Sequence, residues 1–138
     1  MSDNITTEVI VEYGAAATRN RRTTLQLHWR KCDPFAVSLL VTAQPDHPAL
    51  PRGRWVVLRD FLRYGMEEAT GDGDVRISPD GDGQHVHLSL MRGGRPCTIA
   101  LPCDTLRAFL DATDDIVPAG EERSEEAIDA LIEELLRR

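Results

Sequence analysis

Apolar side chains recur at every second position in several stretches of this chain, and a period of two specifies strands and excludes an all-helical fold. Over residues 5–13, Ile5, Thr7, Val9, Val11 and Tyr13 fall on one side and Thr6, Glu8 and Glu12 on the other, with Ile10 as the exception. Leu25, Leu27 and Trp29 then alternate with Gln26, His28 and Arg30. Asp33-Pro34 supplies turn chemistry before Phe35, Val37, Leu39 and Val41, which completes a hairpin. A loop punctuated by Pro45, Pro48 and Pro51 leads to a short strand at Trp55–Leu58. Asp60 is placed to cap one or two helical turns carrying Phe61, Leu62 and Tyr64, closed by Gly65.

The second half runs in a similar order. Val75 and Ile77 mark a strand, Asp80–Gly83 a turn, and Val86, Leu88 and Leu90 the next strand. Gly93-Gly94 turns the chain into a strand with Cys97, Ile99 and Leu101. Asp104 is expected to cap a helix whose Leu106, Phe109 and Leu110 form one apolar stripe. A last amphipathic helix is expected over residues 124–138, with Glu125 and Glu126 at its positive end, Arg137 and Arg138 at its negative end, and Ile128, Leu131, Ile132 and Leu135 on one face. The expected fold is α+β, about seven strands in the order ββββα-βββαα. The halves agree in element order and not residue by residue.

A length of 138 residues suits one domain spanning 1–138, long enough to fold without disulfide or metal support. No apolar run approaches the roughly 20 residues of a membrane span, and the first ten residues lack the pattern of a signal peptide, so a cytoplasmic protein is expected. Cys32, Cys97 and Cys103 cannot all pair within one chain, and free thiols are expected. The net charge of −7 is local: residues 104–138 hold 11 acids against 4 bases, and residues 1–103 hold 12 of each.

Motifs of chemistry fail when tested. Gly71–Asp74 and Asp80–Gly83 put carboxylates close together, but a calcium loop wants an oxygen side chain at its fifth position and glycine at its sixth. Counting from Asp72 those positions hold Arg76 and Ile77, and from Asp80 they hold Gln84 and His85, so hairpin turns explain the glycines better. His85 and His87 share one face of a strand but lack a third zinc ligand in the sequence around them. No nucleophile elbow, P-loop or dinucleotide turn occurs, and no catalytic residue, metal or cofactor is expected.

Surfaces remain. Arg19, Arg21, Arg22, His28, Arg30 and Lys31 form a basic strip around Trp29, which would suit single-stranded nucleic acid if the ring stacked on bases. The alternation instead points Trp29 inward. A protein-binding surface is expected on the outer face of Arg59–Tyr64, where Arg59, Asp60, Arg63 and Tyr64 interleave charge with an aromatic ring, and on Leu131 and Leu135 of the final helix.

Four stretches together resemble the SsgA-like sporulation and cell division proteins of actinobacteria. Cys32-Asp33-Pro34-Phe35-Ala36-Val37 is similar to their Asp-Pro-Tyr-Ala-Val segment, with Phe35 in place of tyrosine, and Trp55–Gly65 to their strand followed by Arg-(Asp/Glu)-Leu-Leu and glycine. Thr70–Ile77 is similar to their Gly-Asp-Gly-Asp-Val-Arg stretch. Phe109-Leu110, Thr113-Asp114, Val117-Pro118, Gly120 and Glu122 follow the order and spacing of their Phe-Leu-x-x-Thr-Asp-x-x-Val-Pro-x-Gly-x-Glu run. The resemblance covers about residues 25–122, and Arg19–Arg22 and the Pro45–Pro51 loop depart from it. It implies a Whirly-like fold of curved antiparallel sheets and a homotrimer. It also implies a non-catalytic adaptor at sites of sporulation septation, whose partners are the tubulin-like division protein FtsZ, the cell-wall machinery or other SsgA-like proteins.

Overall fold

The computed structural model describes residues 3–14, 21–42, 53–92, 94–122, 132–133 and 135–136. The chain runs β1 (Asn4–Gly14), β2 (Arg21–Arg30), β3 (Asp33–Thr42), β4 (Gly53–Leu58), α1 (Arg59–Tyr64), β5 (Thr70–Asp72), β6 (Val75–Pro79), β7 (His85–Arg92), β8 (Arg95–Pro102) and α2 (Cys103–Asp114). The strands form one antiparallel sheet in the order β4-β3-β2-β1-β8-β7-β6-β5. Each half is therefore a four-stranded meander followed by a helix. The halves join where β1 pairs β8 through Glu12–Ala100, Tyr13–Ile99 and Gly14–Thr98.

The sheet curls strongly enough that β4, at one end of the order, touches β6 near the other. The Trp55 indole of β4 donates a 3.0 Å hydrogen bond to the Met91 carbonyl of β7, closing the curl over the core. Alternation determines what fills that core: Val11, Tyr13, Leu25, Leu27, Trp29, Val37, Leu39 and Val41 are buried, and so are Val75, Ile77, Val86, Leu88, Leu90, Ile99 and Leu101. Leu62 of α1 and Leu106, Phe109 and Leu110 of α2 complete it. Ile10 is exposed, as its place outside the alternation requires.

The structure adds or shifts four details. Among the described residues the strands number eight, because Thr70–Asp72 forms a short strand paired with β6. Gly73, with φ 64°, holds the first position of the two-residue turn between them, where a tight hairpin needs positive φ. Phe35 is exposed although the sequence pattern placed it inward: pairing passes from Trp29–Val37 to Arg30–Asp33, and the extra residues bulge and turn Phe35 outward. Neither α1 nor α2 has a side-chain cap. α1 starts at Arg59 and α2 at Cys103, straight from the preceding strands, so Asp60 and Asp104 lie inside the first turn, where they favour the positive end of the helix dipole.

Gly65 does end α1, but with right-handed backbone at φ −65°. Its role is proximity: a Cβ there would lie 2.2 Å from Ile77 Cγ2 and 2.5 Å from Ile77 Cβ. β6 packs against the end of α1 only because position 65 has no side chain.

Most of the expected final helix lies outside the described residues, including Leu131. Ile132, Glu133, Leu135 and Leu136 have helical backbone and exposed side chains.

Candidate protein-recognition surface

Trp55, Val57 and Arg59 continue a single inward alternation from β4 into α1. Arg59 consequently enters the interior, its side chain 1% exposed. Its Nη1 donates to the Val117 carbonyl at 2.8 Å and to Thr113 Oγ1 at 3.2 Å, and its Nη2 reaches Glu122 Oε1 at 2.5 Å. The guanidinium also sits 5.6 Å from the centre of the Trp29 ring, close enough for a cation–π attraction. Trp29 is anchored in turn by a 2.9 Å hydrogen bond from its indole nitrogen to the Pro34 carbonyl. Arg59 is thus an internal tie between α1, Trp29 of β2, the end of α2 and the segment after it, and not the outward partner contact its charge suggested.

Glu122 is the other half of this tie, with its side chain 6% exposed. Burial by itself pushes its carboxyl pKa up, but the Arg59 hydrogen bond and charge, with the Gly120 backbone N–H at 2.8 Å, outweigh burial and hold it below its ordinary value. A carboxyl depressed in the folded state contributes stability that is complete above the unfolded pKa and disappears as pH falls through the folded one. Thermal melts of the native chain should therefore steepen in their pH dependence below about pH 4, and Glu122→Gln should flatten that limb while lowering stability at neutral pH.

The outward face of the same region is different. Arg63 is half-buried and pairs with Asp114, so it braces α1 against α2 while presenting part of its side chain. Asp60 is half-buried and Tyr64 is 55% exposed. On β4, an outer strand of the sheet, Val56 is 58% and Leu58 47% exposed, and Leu40 is exposed on the neighbouring β3. These apolar side chains stand on the solvent side of the alternation, where burial in this chain alone does not explain them. Asp60, Arg63 and Tyr64 remain candidates for partner contact together with Leu135, which is exposed.

The basic strip is only partly assembled. Arg22, Arg30 and Lys31 are exposed, Arg19 lies outside the described residues, and of Arg21 only the backbone is described, in β2. Arg30 lines an open groove of about 370 Å³ with Gln26, His28, Ser38, Leu40 and Arg54. The ring that would stack on bases is absent from it, because Trp29 is 1% exposed beneath Arg59. Burial raises the pKa of the Cys97 and Cys103 thiols, which keeps them protonated and poor nucleophiles. Among the described residues no helix is long and apolar enough to cross a membrane.

A family model described as "Streptomyces sporulation and cell division protein, SsgA" matches residues 23–122. The chain belongs to the SsgA family. Sporulation-specific cell division protein SsgB of Thermobifida fusca (strain YX) is 34% identical over 106 residues, 75% of this chain and 74% of the relative. SsgB of Streptomyces coelicolor is 30% identical over 112 residues, 80% of this chain and 79% of that protein. A crystal structure of an SsgA-like sporulation-specific cell division protein from Thermobifida fusca YX-ER1 superposes with a TM-score of 0.79 at 28% identity, covering 97% of this chain and 98% of that one.

The four stretches that resemble SsgA-like proteins turn out to meet one another in space. Arg59 of the second binds Thr113, Val117 and Glu122 of the fourth, and Trp29 beneath it is held by Pro34 of the first. Gly65 of the second is the position against which Ile77 of the third packs. In this member of the SsgA family the motif residues build the scaffold, and Val56, Leu58 and Tyr64 stand exposed beside them.

Proposed function

We propose that this SsgA-family chain is a non-catalytic adaptor in sporulation-linked cell division, acting at the septum by binding division proteins. The observation that carries the reading is the exposed strip of Val56, Leu58 and Tyr64 on an outer strand and the short helix after it. Edge strands that offer unpaired backbone and apolar side chains are commonly covered by another chain. In this reading Val56 and Leu58 belong to contacts between subunits of a homotrimer. Asp60, Arg63, Tyr64 and Leu135 face the partner, for which the tubulin-like FtsZ is the first candidate. Arg59 supports that surface from inside.

Two measurements test the two parts. Light scattering at micromolar concentration should report three subunits for the native chain and a smaller species for Val56→Asp with Leu58→Asp, while a stable native monomer would remove the trimer. Co-sedimentation with assembled FtsZ should retain the native chain and release Tyr64→Ala at unchanged melting temperature. Equal retention of both would remove Tyr64 from the partner surface.

A further inference from the structure

The turn between β6 and β7 gathers donor atoms that neither the family motifs nor the recognition strip uses. Asp80 and Asp82 come from the turn itself, and His85 and His87 from the first residues of β7 on one face of the strand. One ligand atom each from Asp80, Asp82 and His85 lie within 4.8 Å of one another. Around a tetrahedral zinc ion with bonds of about 2.0–2.1 Å, neighbouring ligand atoms stand roughly 3.3 Å apart, so closing this set needs side-chain adjustment and no refolding of the turn. We propose that this turn is a binding site for a divalent transition metal of the zinc class, with Asp80, Asp82 and His85 as ligands.

The side chains are already oriented. Asp82 Oδ1 accepts from the backbone N–H groups of Gln84 at 2.8 Å and His85 at 3.1 Å, which aims Oδ2 at His85 Nδ1, 2.8 Å away. His87 Nε2 lies 2.9 Å from Asp80 Oδ2 and fixes that carboxylate, the arrangement in which a residue outside the ligand set orients one within it. The backbone beneath is tied by Asp80 N–H to the His85 carbonyl at 2.9 Å, and by Cys103 N–H to the Gln84 carbonyl at 2.8 Å, which links the turn to the start of α2. An imidazole nitrogen among two carboxylates selects against calcium and magnesium, which take all-oxygen shells of six or more ligands, and suits zinc. Two carboxylates and a neutral imidazole also balance the charge of a dication. The sequence hid the site because the two histidines lacked a third ligand in strand register. The turn supplies two.

Isothermal titration calorimetry of the full chain without an affinity tag, with zinc chloride as the probe, tests this. The native chain should bind one zinc ion saturably, with calcium chloride giving no comparable heat. His85→Gln and Asp80→Asn, each shown to be folded by circular dichroism, should weaken zinc at least tenfold, and His87→Gln should weaken it by about tenfold. His28→Gln and Cys32→Ser, whose side chains lie elsewhere, should bind as the native chain does. Absence of saturable zinc binding, calcium binding as tight as zinc, native-like affinity in both folded ligand variants, or loss of zinc in Cys32→Ser would each overturn the proposal.

Discussion

Replacing Arg59 by Met should lower the melting temperature by more than about 10 °C. Removing one member of a buried ion pair strands the other, and such losses run to about 3–5 kcal/mol, with roughly 3 °C per kcal/mol for a chain of this size. Here the stranded groups are several: the Glu122 carboxylate, the Val117 carbonyl and Thr113 Oγ1 all lose a donor, and the Trp29 ring loses its cation. The double variant Arg59→Met with Glu122→Gln should recover part of the loss, because no buried charge then remains unpaired. Thermal melts of the four proteins close a double-mutant cycle, and additive losses would show that the pair is not coupled. Partner binding should fail in Arg59→Met in step with unfolding, which distinguishes this internal tie from a contact residue.

Gly65→Ala is the second large effect. The added methyl would stand 2.2 Å from Ile77 Cγ2 and 3.1 Å from the Phe61 carbonyl, and Ile77 is fully buried with no free direction of retreat. Overpacking of this kind costs about 1–3 kcal/mol. Because φ is −65°, alanine carries no backbone penalty at this position, so the whole loss is steric. Ile77→Val removes only Cδ1 and keeps both Cγ2 and Cβ against the new methyl, so it should not rescue; Ile77→Ala removes Cγ2, the nearer contact, and keeps Cβ at 2.5 Å, so it should give a partial positive coupling with Gly65→Ala although it is destabilising alone. Urea unfolding of the cycle measures that coupling, and a Gly65→Ala protein as stable as the native chain would refute the close packing of α1 on β6.

These two positions also show what the sequence disclosed and what it withheld. The inward faces of β1, β2 and β7 follow from alternation, since Leu25, Leu27, Trp29, Val86, Leu88 and Leu90 are each held on one side by the pleat. β5 escaped because Thr70-Gly71-Asp72 has no apolar alternation; its glycine brings the backbone so near β6 that a Cβ would meet the Arg76 Cα at 2.7 Å. The outward turn of Phe35 depends on a bulge, which is set by how two strands pair and leaves no mark on one of them.

Arg59 is a different kind of miss. Its inward position was legible, because Trp55, Val57 and Arg59 keep one parity, but an arginine there is reasonable only if an acid waits inside. That acid is Glu122, 63 residues away, and the pairing is fixed by the way α2 returns across the sheet. The exposed strip was half legible: Tyr64 was placed correctly on the surface, whereas Val56 and Leu58 read as ordinary strand residues until β4 proved to be an outer strand.

On the proposed reading this chain works by presenting a surface to division proteins. Fluorescent fusions of the native chain and of Tyr64→Ala, expressed at equal level in sporulating mycelium lacking the endogenous copy, test it most directly. The native fusion should mark the septation sites and restore regular septa, and Tyr64→Ala, equally stable, should stay diffuse and leave septa misplaced. Regular septa with the variant, or a native fusion that never reaches the septum, would contradict it.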